Sequence, residues 1–408
     1  MRKILSGRRS LNPGDFIFEA NVGAGSAMQL PLPSGSPTGG GVMGFTVDWG
    51  DGSAPFVVNA ANHGLAVHTY AAGGTYTIKI SGPVRGWKFG TAFSTYAAKM
   101  NRITQWGDFR FTETEAFRGC NNMGTITATD TPRFDVAGTG SYAFFGCTKL
   151  TTINKIEDWN VNPLNNMRNM FGECAAFKYG SSSPANADLS SWDVSNVSNM
   201  RGMFENAISW NGHMFKVRSA TNDVYAMFEF CRAFNNDGNS DIGNWQTQNI
   251  GNFGYMFSAC LAFNQNISSW NTSSATNMKQ MFGGNSGAPM AFNQPIGSWD
   301  VSNVTDMGNI FTFCNSFDQD LSNWDLNSIN TYSATYQILT QAIGTFGLST
   351  ANYDALLVAW DASGSFPSVP AGSVLNFGSS QYSLGSAAAT ARTSLIAKWG
   401  GISDGGGI

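Results

Sequence analysis

Charge is the first thing this 408-residue chain lacks. Only 12% of its side chains are Asp, Glu, Lys or Arg, against about 25% in an average globular domain. A net charge of -4 over this length leaves no basic footprint, which argues against nucleic acid as a partner. The 3 histidines are His63, His68 and His213, too few and too scattered for a catalytic constellation. There is no Gly-x-Ser-x-Gly elbow, phosphate loop or His-Glu-x-x-His. No run approaches the roughly 18 apolar residues of a membrane span. The 6 cysteines have no Cys-x-x-Cys spacing and no His beside them, so a metal site is not expected either. The expectation is a chain that is not an enzyme, with no cofactor, no metal and no membrane span.

The start, Met-Arg-Lys-Ile-Leu-Ser-Gly-Arg-Arg-Ser, is basic but has no apolar h-region, because Ser6 and Gly7 follow Ile4 and Leu5 at once. Residues 1–14 read as a basic arm carrying Arg2, Lys3, Arg8 and Arg9. It is either a flexible tail or an anchor that docks on a partner subunit. What is abundant is aromatic (13%) and glycine (47 residues), with much Ser, Thr and Asn. A surface kept soluble by uncharged polar groups is commoner outside cells. Without an h-region, such a surface points to release by lysis as part of a virus particle.

Most of the chain is one repeated pattern. Trp299 is followed twelve residues later by Phe311, and the same step joins Trp159 to Phe171, Trp192 to Phe204, Trp245 to Phe257 and Trp270 to Phe282. The phenylalanine column extends to Phe117, Phe144 and Phe228. An aliphatic residue stands three before each Trp, as in Ile156/Trp159 and Ile296/Trp299. Two copies are degenerate, with Phe134 and Phe215 in place of Trp, and local distortion is expected there. Self-similarity at this period marks a solenoid whose units bury their apolar stripe only by stacking.

The step from Trp to Val two residues on (Val161, Val194, Val301) has a strand period, whereas Met167/Met170/Phe171 and Met200/Met203/Phe204 recur at i, i+3, i+4. Each unit therefore predicts a short strand, a turn and a short helical or 3₁₀ segment. The strands would align in a parallel sheet at about 4.8 Å spacing. All six cysteines, Cys120, Cys147, Cys174, Cys231, Cys260 and Cys314, lie three residues past the ruler Phe, where Ala207 and Asn285 replace them in two copies. That position wants a small buried residue. An even count in an extracellular protein usually signals disulfides, but stacked coils hold these Cβ vectors parallel, which favours free thiols.

The composite unit, L-x-x-W-D-V-S-N-V-T-x-M-x-x-M-F-x-x-C-x-x-F-N-Q, resembles the BspA-like leucine-rich repeat surface proteins over residues 83–342, about eight units. Ahead of it, Val47-Asp-Trp-Gly-Asp-Gly-Ser53, His68-Thr-Tyr70 and Gly74-Thr-Tyr-Thr-Ile78 resemble a PKD-like domain, assigned to residues 15–82. Asp48 and Asp51 sit in a Gly-flanked turn, where hydrogen bonding to their own backbone is expected rather than calcium. Residues 343–408 predict a cap: a helix over Leu348–Trp360 begun by Ser349 or Thr350, and another over Ser386–Lys398. The close at Trp399–Gly406 also resembles the end of BspA-like proteins. The expected fold class is mainly β with short helices. It comprises a leucine-rich-repeat-type solenoid with a parallel sheet, an N-terminal Ig/PKD-like β-sandwich and a small helical C-terminal cap.

Between the inward Trp and Val a residue must point out. That column reads Asn160, Asp193, Gln246, Asn271, Asp300 and Asp325, and a second column includes Ser195 and Ser302. It is either a solvated face or a surface that hydrogen-bonds sugars or a polar protein loop. The expected function is non-enzymatic adhesion or recognition of a host-surface glycan or protein, as a bacteriophage fibre or capsid-surface component. Other virion or surface proteins would hold the arm and β domain, and self-association into a homo-oligomer is compatible with it. The alternatives are a bacterial cell-surface adhesin of the BspA-like type and a polysaccharide hydrolase.

Overall fold

The structure, a computed structural model, describes residues 12–32, 44–59, 63–134, 140–178, 188–284, 288–329, 347–363, 375–399 and 401–408. The arm up to residue 11, Asn285 and the fading copy around Tyr336 lie outside them. The chain is mainly β with few helices, built around a seven-stranded mixed sheet.

The first part supplies β1 (Phe16–Val22), β2 (Ala27–Gln29), β3 (Gly44–Asp48), β4 (Phe56–Asn59), β5 (Val67–Thr69) and β6 (Gly74–Ser81). A short helix, α1 (Ser94–Ala97), follows, then β7 (Met100–Gln105), β8 (Arg110–Phe111), β9 (Thr125–Ile126), β10 (Arg133–Phe134) and β11 (Thr152–Ile153). The main sheet runs β11-β9-β7-β1-β6-β3-β4 and stays open at β11 and β4. β1 is nearly all apolar because it has a partner on each side, antiparallel to β6 and to β7. β7, β9 and β11 then pair in parallel. The sheet therefore passes from the N-terminal strands into the first repeats without a break at residue 82. Phe16 packs 4.7 Å from Phe109 and 5.4 Å from Trp87 across that point.

The Trp-x-Gly-Asp-Gly turn is held from both sides. Asp48 and Asp51 accept the amides of Gly50 and Ser53, His68 Nε2 lies 2.6 Å from Asp51, and the Tyr70 hydroxyl donates to the Trp49 carbonyl. Gly50 has a φ of 80°, and a Cβ there would strike the Thr77 carbonyl, so only glycine fits.

Within the later repeats the local structure differs from the strand-then-helix unit. The Trp-x-Val triplet carries no strand; parallel pairing falls seven residues past Trp, as single bridges running Asn166–Asn199–Asp223–Asn252–Asn277–Asp306. The Met-x-x-Met-Phe stretch is a chain of turns rather than a helix. Amides of alternate residues point to the next coil: Met167, Asn169, Phe171 and Glu173 donate to the carbonyls of Asn199, Arg201, Met203 and Glu205. The amides between them (Met170, Gly172, Cys174) bond back three residues within the coil. An α-helix spends its interior amides internally and could not join coils this way. Left-handed residues recur every fourth position to unwind it: Asn169 and Glu173, Ala226 and Phe230, Tyr255 and Ala259.

Inside, side chains of one kind stack coil upon coil. Phe117, Phe144, Phe171, Phe204, Phe228, Phe257, Phe282 and Phe311 lie 5.4–5.9 Å apart with planes within 16°, a favourable offset geometry. Trp159 stacks on Trp192, and Trp245 on Trp270 and then Trp299. Phe215 keeps its place in that column, 6.1 Å from Trp192 and within 3° of parallel, so the fifth copy is less distorted than its sequence suggests. The second is more so: Phe134 tilts 52° from Trp159, whose indole nitrogen is buried without a partner among the described residues. In four other coils the indole donates to the preceding coil: Trp192 to Ile156, Trp270 to Ile242, Trp299 to Ile267 and Trp324 to Ile296.

All six cysteines are free and fully buried. The thiols of Cys147, Cys174, Cys231, Cys260 and Cys314 donate to phenylalanine carbonyls of the coil before, at 2.7–3.3 Å. Burial pushes the pKa of all five upward, away from the reactive thiolate.

The array closes on α2 (Thr350–Ser363), β12 (Leu375–Asn376), α3 (Ala387–Trp399) and β13 (Ile402–Ser403). Between coils, Asn235 accepts the Asn264 amide and the Gln265 side chain. Asn264 does the same for Asn293 and Gln294, and Asn293 for Asp318 and Gln319. Asp318 then accepts the Ser349 amide and the Asn352 side chain. The helical cap thus attaches through the joint that links one coil to the next. Asp404, in the terminal close, accepts from Tyr353 and from Arg392, tying α2 to α3.

Candidate functional site

Two outward faces of the repeat array carry side chains able to bind something. On the Trp-x-Val face, Asn160, Asp193, Gln246, Asn271 and Asp300 are exposed and Asp325 half-buried. Five of these six turn inward in part. The Oδ1 atoms of Asn160, Asp193, Asn271, Asp300 and Asp325 accept the backbone amides two residues on, those of Asn162, Ser195, Ser273, Ser302 and Asn327. Gln246 accepts from Ser219 instead. The Ser195 hydroxyl, and after it the Ser195 amide, hold the Asp193 carboxyl below its ordinary value, and Ser302 does the same for Asp300. Asn162 also donates to Asp193 across coils. These groups close turns and join neighbours, leaving about half their acceptor capacity for a ligand. The Trp, Phe and Cys columns behind them are fully or almost fully buried.

The second face lies over the bridge ladder, seven to fourteen residues past each Trp. Asn166, Asn199, Asp223, Asn252, Asn277 and Asp306 each accept the amide two residues on, which closes a turn in every coil. Beside them stand Tyr142, Arg168, Arg201, Tyr225, Tyr255 and Lys279, on successive coils. The Arg201 guanidinium lies 3.9 Å from the centre of the Tyr225 ring, a cation–π contact, and Tyr225 lies 5.3 Å from Tyr255. At the N-terminal end Arg118 pairs with Glu115 and lies 5.1 and 5.3 Å from the rings of Phe145 and Tyr142.

Next to this row run Glu173, Glu205 and Glu229. Asn206 donates to Glu173, and Asn169 to Glu205. Burial first, then the charge of Glu205, push the Glu229 carboxyl up to about 7, with Arg201 opposing. Its unfolded value is near 4.5, so the folded state binds the extra proton. Stability is then highest below about pH 4.5 for this group and falls as pH rises through about 7. Glu229→Gln, which stays neutral, should show a smaller drop in melting temperature between pH 5 and 8 than the parent. Parallel pH profiles for the two proteins would contradict this.

The sequence singled out the first face and missed the second. A signal was present: directly after the fixed Met or Val (Met167, Met200, Val224, Met278) the residue varies among Arg168, Arg201, Tyr225 and Lys279, and a position that varies inside a fixed frame is not wall. Among the described residues no group of three or more His, Cys, Asp or Glu side chains could hold a metal ion, and no helix is long and apolar enough to cross a membrane.

No curated protein and no solved structure matches the chain. One family model does, described as Mycoplasma protein of unknown function, DUF285, in two overlapping stretches, residues 112–240 and 222–345. Together they span 234 of the 408 residues, and they fall on the stacked repeats. The chain belongs to this DUF285 family.

Proposed function

We propose that this chain is a non-enzymatic recognition protein on an exposed surface, a bacteriophage virion component of fibre or capsid-surface type. In this reading residues 83–342 are a BspA-like, leucine-rich-repeat-type solenoid, and a PKD-like domain and the basic arm hold it to the particle. The observation that carries the reading is the repeated, rigid ladder face with rings and ionic groups on successive coils. Such a surface suits an extended partner better than a small substrate. A surface poor in charge fits an extracellular setting, and full burial shields the free thiols from oxidation there. Immunogold labelling of intact particles should decorate their outer surface. Labelling confined to bacterial envelopes would move the protein to the cell-surface adhesin reading, and labelling of neither would overturn both.

One observation favours the hydrolase alternative. Glu229, with its raised pKa beside Glu205, has the look of an acid paired with a carboxylate. Against it, Glu205 is bonded to Asn169. Shortened glycan products on incubation would favour hydrolysis.

A further inference from the structure

We infer that the ladder face is where two copies of this chain pair, related by a two-fold axis that runs parallel to the stack. This rests on the ladder face being a recognition surface and names the extended partner it takes.

The rings on this face serve something other than the fold. Tyr142, Phe230, Tyr255 and Phe313 have left-handed backbones, with φ of 56–62°, a conformation that is costly for a bulky residue and free for glycine. Glycine does stand at the same register positions in other coils, as Gly119, Gly146 and Gly202, also with positive φ. The four rings nonetheless stay half-buried at the surface, as do Phe145 and Tyr225. Backbone strain kept at a surface position marks function. Aromatic rings among arginines are what the centres of protein interfaces are enriched in.

Charge selects the protein. Counted from the stacked phenylalanine, opposite charges lie on opposite sides within a coil. Arg168 comes three residues before Phe171 and Glu173 two after; Arg201 comes three before Phe204 and Glu205 one after. At Phe117 the signs are reversed, with Glu113 and Glu115 before and Arg118 after. They are reversed again at Phe228, with Asp223 before and the exposed Arg232 after. Lys279 and Asp306, 3.9 Å apart, neutralise each other. Glu229 alone lacks a counterpart, and it is half-protonated near pH 7.

A two-fold axis along the stack lays each coil on its own copy and exchanges the two sides. Arg168 then meets the second copy's Glu173, Arg201 meets Glu205, Glu115 meets Arg118 and Asp223 meets Arg232, each contact being made twice. An axis across the stack would set arginine on arginine, and an unrelated partner would have to mirror every change of sign from coil to coil. Arg201 is already held against the Tyr225 ring and Glu205 by Asn169, so both ends of the central pair are ordered before the copies meet. The stacked phenylalanines, 5.4–5.9 Å apart, give a contact line of roughly 40 Å, long enough for a standard interface of about 800 Å² per partner.

The test is sedimentation equilibrium of the full chain across micromolar concentrations. The parent should sediment at twice the chain mass, and less tightly as salt is raised. Arg201→Glu and Glu205→Arg each place like charges together at two equivalent contacts and should weaken the dimer roughly a hundredfold or more. An equimolar mixture of these two variants should dimerise again, because each altered residue meets the other's; that recovery also separates lost pairing from misfolding. A parent at single chain mass throughout, single variants that dimerise like the parent, or a mixture that stays monomeric would each overturn the inference. A monomer that still decorates particles would leave the recognition reading standing without this partner. A dimer restored in the mixture, from a chain that labels neither particles nor envelopes, would uphold the pairing and overturn that reading instead.

Discussion

Trp299→Ala is expected to lower stability by about 3–5 kcal/mol, the range of other large-to-small core changes. The Trp299 ring lies parallel to Trp270, within 1°, and against Phe282, and its indole nitrogen donates to the Ile267 carbonyl. Removing it opens a void between coils and strands that carbonyl. Because coils hold only their neighbours, the loss should spread to the units on each side. Trp299→Phe should cost much less, since Phe215 already occupies the same column in stacked geometry. Urea melts of the two variants would check this, and an alanine variant that melts like the parent would remove Trp299 from the wall.

The second large effect concerns the N-terminal strands. A chain beginning at residue 83 lacks β1, which pairs with β7 along one edge and lays Phe16 and Phe18 against Trp87, Trp106 and Phe109. Exposing three such side chains costs roughly 1.5–3 kcal/mol each. Their sum is comparable to the whole stability of an ordinary domain, about 5–15 kcal/mol. The bare edge of β7 would also invite pairing with other chains. The shortened chain is therefore expected to aggregate or to lose its cooperative melt. A monomeric 83–408 protein melting within a few degrees of the full chain would show that the first strands are dispensable.

Those two results depend on features of unequal legibility. The wall is readable in the sequence because a buried column forces the same residue at the same step, as at Trp270 and Trp299 or Cys231 and Cys260. The short helical or 3₁₀ segment expected at Met167/Met170/Phe171 is a chain of turns instead, and the reason is physical. The i, i+3, i+4 spacing of buried residues also arises from successive turns that bond back three residues. What breaks the helix is a left-handed backbone at Asn169, Glu173, Ala226 and Phe230, and residues such as Ala or Phe give no hint of positive φ. The sheet crossing residue 82 was equally hidden, because β1 and β7 meet only through long-range pairing. On the functional side, Asp193 and Asp300 advertise themselves as polar and outward. Only in the folded chain does their first oxygen serve the turn and Arg201 stack on Tyr225.

The joint made by Asn235, Asn264, Asn293 and Asp318 has a consequence for how such a protein changes length. Each of the last four coils presents an acceptor at this place, and the C-terminal helix answers it with Asn352 as the coils do with Gln265, Gln294 and Gln319. A whole unit can therefore be gained or lost with both new ends already matched. The cap needs no redesign, so the reach of the molecule is a quantity that recombination between units can adjust in single steps.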